Sequence, residues 1–367
     1  MKKLLYITDG IYPATIGGMQ KVSLQHIQML SDSIEVCVIY SGEEITNMLE
    51  NVTYIHIPWP KEIGFYINKY PHQLRLFSTL VKKQVNNIKP DIIYTEGPLV
   101  DSLLSKSLSN IPIIFHPHGL EPFQDKGSLL DNLKANILKP IIKRHCLFSD
   151  KVVTQGGKLS EILLNTIGVP KEHLYVLQNV FSVDHDEKDH WDIENKKFDL
   201  IFVGRNEKRK GLDFALNALS QMGSSISVCV VGSHDEYQKK YRKMKNIFWA
   251  GEITEPKKIQ TLYKKSRFLI LPSFAEGMPT VLLEAMSQGT PAIASDVGAV
   301  KEVIEEDVNG YLFEKGQKNS FVNQVKRAFR LSNRDYKELS VQSKKCIEKD
   351  FSFNVVQRKL VNLVTDM

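Results

Sequence analysis

Two carboxylates eight positions apart, Glu276 and Glu284, bracket the segment Gly277-Met278-Pro279-Thr280-Val281-Leu282-Leu283. Glu276 belongs to a loop punctuated by glycine and proline. Glu284 falls about one turn into an apolar helix expected to begin near Pro279 or Thr280, since proline is tolerated at the first helical position. The first turn of a helix offers unpaired N–H groups and the positive end of the peptide dipole, which together seat a phosphate. A carboxylate only accepts hydrogen bonds, so it suits the hydroxyls of a ribose or hexose. A capped helix with a solvated glutamate fits the same residues, and this segment alone leaves both readings open.

A second cluster is Gly204-Arg205-Asn206-Glu207-Lys208-Arg209-Lys210-Gly211, directly after the apolar run Leu200-Ile201-Phe202-Val203. Arg205 and Lys210 stand five apart between glycines that permit close approach. Arginine supplies a planar fork and lysine a point charge, a combination that neutralises a diphosphate. A solvated basic loop is the competing reading. Gly17-Gly18 follows the first apolar run and fits either a close backbone approach or a flexible turn. His116 and His118 follow Ile113-Ile114-Phe115. Their spacing raises a metal, yet the sequence places no cysteine or acidic cluster beside them.

These residues need strands to hold them. Leu4 to Ile7, Ile34 to Tyr40, Val52 to Ile57, Ile92 to Tyr94, Ile113 to Phe115 and Val152 to Thr154 are short apolar runs separated by longer polar or helical stretches. Runs that are apolar throughout, rather than alternating, belong to strands buried on both faces of a parallel sheet. Val22, Leu24, Ile27 and Leu30 have helical spacing. The pattern breaks over 182–197 and restarts with Leu200 to Val203, Val228 to Val231, Phe268 to Leu271 and Pro291 to Ala294, before a last helix around Phe353 to Val364. Strand–helix alternation in two series means two doubly wound α/β domains. Ligands in such sheets bind beyond the carboxyl ends of the strands, and a cleft is expected between the halves.

Composition narrows the classes. The 367 residues carry 48 Lys and Arg against 42 Asp and Glu, a net charge of +6 that demands no nucleic-acid partner. Apolar content of 42% and charged content of 25% exclude a disordered or fibrous chain. The four cysteines form no CxxC pair, which argues against a disulfide framework or zinc site and fits a reducing compartment. The apolar run after Met1-Lys2-Lys3 is too short for a signal peptide, and no run reaches the ~18 residues of a membrane span. A cytoplasmic location is expected.

Taken together in order, Gly204-Arg205, Lys210-Gly211, Glu276, Glu284 and Gly289-Thr290-Pro291-Ala292-Ile293-Ala294-Ser295-Asp296 resemble the retaining glycosyltransferases of family four, which have the GT-B fold. The resemblance extends over nearly the whole chain. It implies two Rossmann-like domains facing each other across a cleft: an acceptor domain over 1–181, a linker over 182–197, a nucleotide-sugar domain over 198–350, and a helix over 351–367 crossing back to the first. It further implies a hexosyltransferase that moves a sugar from a UDP- or GDP-linked donor to a glycan or lipid-linked acceptor in surface polysaccharide or glycolipid assembly, with no cofactor and no metal.

Carried over by residue, Arg205 and Lys210 would hold the diphosphate, Glu284 the ribose, and Glu276 the donor hexose, with Gly277, Met278, Pro279 and Thr280 around the sugar and phosphate. Ile253 would lie by the base, Gly17 and Gly18 by the donor phosphate, and His118 by the transferred sugar. Glu96, in Tyr94-Thr95-Glu96-Gly97-Pro98, stands where the family more often has a histidine-containing loop, and is assigned to the acceptor. Gln178-Asn179-Val180 replaces the usual Pro-Asn-Gly. Asp184-His185-Asp186, the only Asp-x-Asp triplet, lies in the polar stretch rather than at a strand end. A nucleotide-sugar epimerase, a phosphorylase and a non-catalytic nucleotide-sugar-binding scaffold are the alternative readings. Basic stretches at 61–90 and 134–144 suggest an anionic membrane surface, with Phe77, Leu80, Val81, Val85 and Ile88 as an apolar stripe; a helix packed in the core with a solvated basic face is the alternative.

Overall fold

A computed structural model describes residues 2–45, 49–61, 69–104, 110–125, 132, 135–181, 193–223 and 225–367. The chain divides into two compact units: residues 1–123, 135–180 and 353–367 form the first, and 124–134 with 181–352 the second. Most of the expected linker, residues 182–192, lies outside the described residues, and with it Asp184-His185-Asp186. The short turn Ile193–Asn195 precedes the first strand of the second unit.

The first unit is built on a seven-stranded parallel sheet. Its strands are β1 (Lys3–Thr8), β2 (Glu35–Tyr40), β3 (Val52–His56), β4 (Ile92–Glu96), β5 (Ile113–His116), β6 (Lys151–Thr154) and β7 (Leu174–Val176), in spatial order β3-β2-β1-β4-β5-β6-β7. Both faces are covered, so alternate side chains of one strand enter different cores. Leu4 and Tyr6 join one apolar cluster, Leu5 and Ile7 the other. Helix Gly18–Ser31 buries Val22, Ile27, Met29 and Leu30. The last helix, Phe353–Thr365, returns to this unit, where Val356, Leu360, Leu363 and Val364 share a cluster with Ile27 and Leu30. Tyr175 Oη donates to the Lys359 carbonyl at 2.7 Å and Gln357 Nε2 to that of Met29 at 3.1 Å.

Two helices bear on the membrane reading. In Tyr70–Ile88 the stripe Leu74, Phe77, Val81 and Val85 is buried against the sheet, and of the expected face only Leu80 is exposed, at 39%. That stripe therefore belongs to the core, because a helix covering a parallel sheet must bury its apolar side. Helix Lys139–Phe148 behaves differently. It buries Ile142, His145 and Cys146 and turns Leu147 and Phe148 outward, with Ile137 just before it, at 42%, 49% and 47% exposure. Lys143 and Arg144 lie on the same exposed side, while Lys134 lies outside the described residues.

The second unit has a six-stranded parallel sheet in order β10-β9-β8-β11-β12-β13. These strands are β8 (Phe198–Val203), β9 (Val228–Val231), β10 (Ile247–Gly251), β11 (Ser266–Leu271), β12 (Ala292–Ser295) and β13 (Gly310–Phe313). In each sheet the winding reverses once, between β1 and β4 and between β8 and β11. Loops leaving the carboxyl ends of two such strands diverge to opposite faces, opening a crevice. Gly17 and Gly18 follow β1, Glu96 ends β4, Arg205 and Lys210 follow β8, Glu276 to Glu284 follow β11, His118 follows β5 and Ile253 follows β10.

Candidate active site

In the second unit the loop after β8 and the loop after β11 lie against each other. Phe274 N donates to the Arg209 carbonyl at 2.7 Å, and Arg209 donates back to the Ala275 carbonyl at 3.2 Å. Gly211 has φ 70° and sits so close to Pro272 that a Cβ would overlap its carbonyl. The basic loop can therefore approach only because that position has no side chain.

Glu276 is 5% exposed. Its Oε1 accepts from Lys210 Nζ at 2.6 Å and from Ser273 Oγ at 2.7 Å, and Arg209 comes within 3.6 Å of Oε2. Gln124 brackets its backbone: Nε2 donates to the Glu276 carbonyl at 2.7 Å, and Glu276 N donates to Gln124 Oε1 at 3.4 Å. Gly298, at φ 53°, presses on the carbonyls of Glu276 and Gly277, and Ala299 N donates to Gly277 at 2.9 Å.

Helix Thr280–Ser287 starts after Pro279 with no side-chain cap on its first turn. Pro279 has no side-chain acceptor to offer that turn, and the start of a helix carries the amides and the positive dipole end that suit an anion. Glu284, a turn in, accepts from the buried Tyr263 hydroxyl at 3.1 Å, and Tyr263 is fixed through its carbonyl by Thr290 Oγ1 at 2.7 Å. Thr290 belongs to the Gly-Thr-Pro run, so that run props the helix bearing Glu284.

Arg205 and Lys210 are not equivalent here. Lys210 is 16% exposed at Glu276, whereas Arg205 is 78% exposed and pairs with Glu207 at 3.0 Å. Arg209, 14% exposed, is the cation beside Lys210. Sequence spacing pointed to Arg205 and missed Arg209, Ser273, Gln124 and Tyr263. Arg209 had one visible signal, its place in the basic loop. The others acquire partners only through the fold. Ile253 follows β10, partly exposed, two residues past Gly251.

In the first unit Gly17 is the residue before helix Gly18–Ser31, in the loop that follows β1. Glu96 ends β4, in register with His116 on β5, and His118 follows. Glu96 has no exposed side-chain surface, so it offers nothing to an acceptor in this arrangement; its partners are internal. Ser23 donates to Oε2. His118 Nε2 stands 3.3 Å and His26 Nδ1 3.7 Å from Oε1. Tyr6 Oη is 3.2 Å from His26 Nδ1, Tyr94 Oη is 2.9 Å from His116 Nδ1, and the rings of His116 and His118 stack at 3.8 Å.

Burial pushes His26 down to about 4 and His116 well below the usual imidazole range. The same burial would raise Glu96, but His118, His26 and Ser23 together hold it below the usual carboxylate range. His116 thus has acidic company that the linear sequence hid. Donor atoms of His26, Glu96 and His116 lie within 4.8 Å of one another.

Two parallel doubly wound sheets in series are the GT-B type of architecture. The chain belongs to the family 4, or group 1, glycosyltransferases: residues 16–185 match the model Glycosyltransferase Family 4 and residues 183–345 match Glycosyl transferases group 1. It is 25% identical to the Escherichia coli UDP-Gal:alpha-D-GlcNAc-diphosphoundecaprenol alpha-1,3-galactosyltransferase, over 96% of this chain and 94% of that protein. Sucrose-phosphate synthase from Thermosynechococcus elongatus superposes with a TM-score of 0.82 at 15% identity, covering 100% and 99% of the two chains. Anabaena HepE in complex with UDP and glucose does so with 0.74 at 16% identity over 100% of both. Among the described residues no helix is long and apolar enough to cross a membrane.

Proposed function

We propose that the chain transfers a hexose, with retention of configuration, from a nucleoside diphosphate sugar to a glycan or lipid-linked hydroxyl. The observation that carries this is the arrangement at Glu276. A buried carboxylate has two cations within 2.6–3.6 Å of it, four residues before the start of helix Thr280–Ser287, whose cap position is a proline. The cations and helix amides suit a diphosphate. Glu276 suits the hydroxyls of the hexose and Glu284 those of the ribose. Gly277, Met278, Pro279 and Thr280 supply backbone to the sugar and phosphate, and Ile253 borders the base. In the first unit, Gly17 and Gly18 are assigned to the donor phosphate and His118 to the transferred sugar by the family resemblance.

Departure of the diphosphate breaks the bond from the anomeric carbon to phosphate oxygen. The acceptor hydroxyl forms its bond on the same face, and its proton goes to the departing phosphate oxygen. Charge develops on that oxygen, and fixed cations and amide dipoles stabilise it without rearranging. No step in this scheme calls for a metal or cofactor. Lys143, Arg144, Ile137, Leu147 and Phe148 form a mixed basic and apolar exposed face suited to an anionic membrane carrying a lipid-linked acceptor.

A panel of UDP- and GDP-sugars assayed for release of the nucleoside diphosphate tests the reading. One donor turned over in an acceptor-dependent way, with activity retained in EDTA, is the expected result. Donor binding without transfer to any glycan or lipid-linked acceptor would favour a scaffold, and interconversion of donor sugars an epimerase.

A further inference from the structure

We propose that Glu96 is a positioning residue for the transfer reaction: its buried carboxylate holds His118 by the Nε2 edge and so fixes which face and which ring nitrogen the histidine presents to the sugar. This rests on the reading of His118 as the sugar contact.

The two side chains differ in how they meet solvent. His118 is 14% exposed and Glu96 is 0% exposed, so the histidine has one open edge and one edge closed against the carboxylate. Oε1 of Glu96 and Nε2 of His118 are both buried, and neither makes a hydrogen bond of ordinary geometry to any group. They stand 3.3 Å apart, so each is the natural complement of the other. Oε2 is tied to Ser23 on helix Gly18–Ser31, which keeps the carboxylate from turning away. The ring of His118 is also restrained from the side, stacked at 3.8 Å on His116, whose Nδ1 meets Tyr94 Oη at 2.9 Å.

The backbone agrees with a held residue. His118 has φ 56°, a left-handed conformation that is strained for a non-glycine residue and persists only where surroundings impose it. The titratable groups around Glu96 are His26, His116, His118, Tyr6 and Tyr94, with Asp9, held by Gln20 at 2.9 Å, also acting on it. Stability alone does not call for this arrangement. A buried carboxylate with its partners is commonly no more stabilising than apolar residues of the same volume. The carboxylate favours a proton on Nε2, the ring nitrogen that faces it, over one on Nδ1.

The test uses the full chain. Proton–nitrogen correlation spectra of ¹⁵N-histidine-labelled wild type, with His118 assigned by its loss in His118→Ala, are expected to show His118 protonated at Nε2 and bare at Nδ1. A proton on Nδ1 instead overturns the proposal. In kinetics, Glu96→Gln is expected to lower kcat about tenfold or more while the donor KM stays within about twofold, and Ser23→Ala to lower kcat in the same direction by less. If Glu96→Gln does not fold, the Ser23→Ala kinetics and the wild-type spectrum still decide.

If wild type turns over donor and His118→Ala is impaired while Glu96→Gln and Ser23→Ala match wild type, the positioning role falls and the transferase reading stands. A wild type that turns over no donor sinks the transferase reading, and this role with it. Stoichiometric zinc or another divalent metal in the purified protein also overturns it, since His26, Glu96 and His116 would then be ligands.

Discussion

Lys210→Ala removes the closest cation from the buried carboxylate of Glu276, at 2.6 Å, and from the crevice that we assign to the diphosphate. Two effects follow and can be separated. In the free protein Glu276 keeps Ser273 at 2.7 Å and Arg209 at 3.6 Å, so it is not left bare. The expected stability loss is that of one charged hydrogen bond, about 1–2 kcal/mol, or a few degrees in Tm for a domain of ~150–250 residues. In the reaction, the lysine neutralises charge that grows as the diphosphate leaves. Loss of one such preorganised donor costs about 2–4 kcal/mol of transition-state stabilisation, which is about 30- to 900-fold in kcat/KM. Nucleoside diphosphate release, measured below the variant's melting temperature, reads the second effect alone. Glu276→Gln supplies the control. If Lys210 serves only to balance Glu276, its loss costs nothing once Glu276 is neutral, and Lys210→Ala/Glu276→Gln is rescued to the turnover of Glu276→Gln alone. Such a rescue, or a single variant within about threefold of wild type, would refute the diphosphate role.

Tyr263→Phe deletes the hydroxyl that meets Glu284 at 3.1 Å; it should raise the donor KM several-fold with kcat nearly unchanged and lower stability by about 1 kcal/mol, as isothermal titration and thermal melts would show. Gly211→Ala must place a Cβ on the Pro272 carbonyl at φ 70°. It is expected to cost more than about 1 kcal/mol and to abolish transfer, with an Ala at exposed Gly223, where nothing crowds the Cβ, as the milder comparison. His26 and His145, held near 4 by burial against an ordinary 6.5, bind fewer protons folded than unfolded in that window. Stability is therefore complete above about pH 6.5 and falls as pH drops toward 4, by up to about 1.4 kcal/mol per pH unit for each histidine, measurable by urea unfolding at several pH values. Leu147→Ser/Phe148→Ser should weaken co-sedimentation with vesicles containing anionic lipid while leaving the fold intact; equal binding to anionic and neutral vesicles would remove the membrane face.

Strand positions were legible because strands buried on both faces are apolar throughout, as in Leu4 to Ile7 and Phe268 to Leu271. The basic loop after β8 and the carboxylate-bearing loop after β11 were legible as motifs because each is a short continuous stretch of chain next to an apolar run. Three readings went differently. The stripe on helix Tyr70–Ile88 faces the sheet, since an amphipathic pattern records that one side is covered and not by what. Glu96 sits inside, because exposure of a strand-end residue depends on the helix laid across it, here the one carrying Ser23. Arg209 rather than Arg205 approaches Glu276, because the turn of the basic loop is set by its bonds to Phe274 and Ala275.

The amino-acid order alone determined the two series of strands, the local geometry of each motif and the enzyme family, all of which depend on neighbours a few residues apart. Only folding decided that the winding reverses between β1 and β4 and between β8 and β11, and so which loops become neighbours. It likewise brought Ser23, His26, Glu96, His116 and His118 into one buried network from three segments of chain. Long-range side-chain pairing leaves no periodic trace in a sequence, because its energy depends on sheet order and burial rather than on spacing.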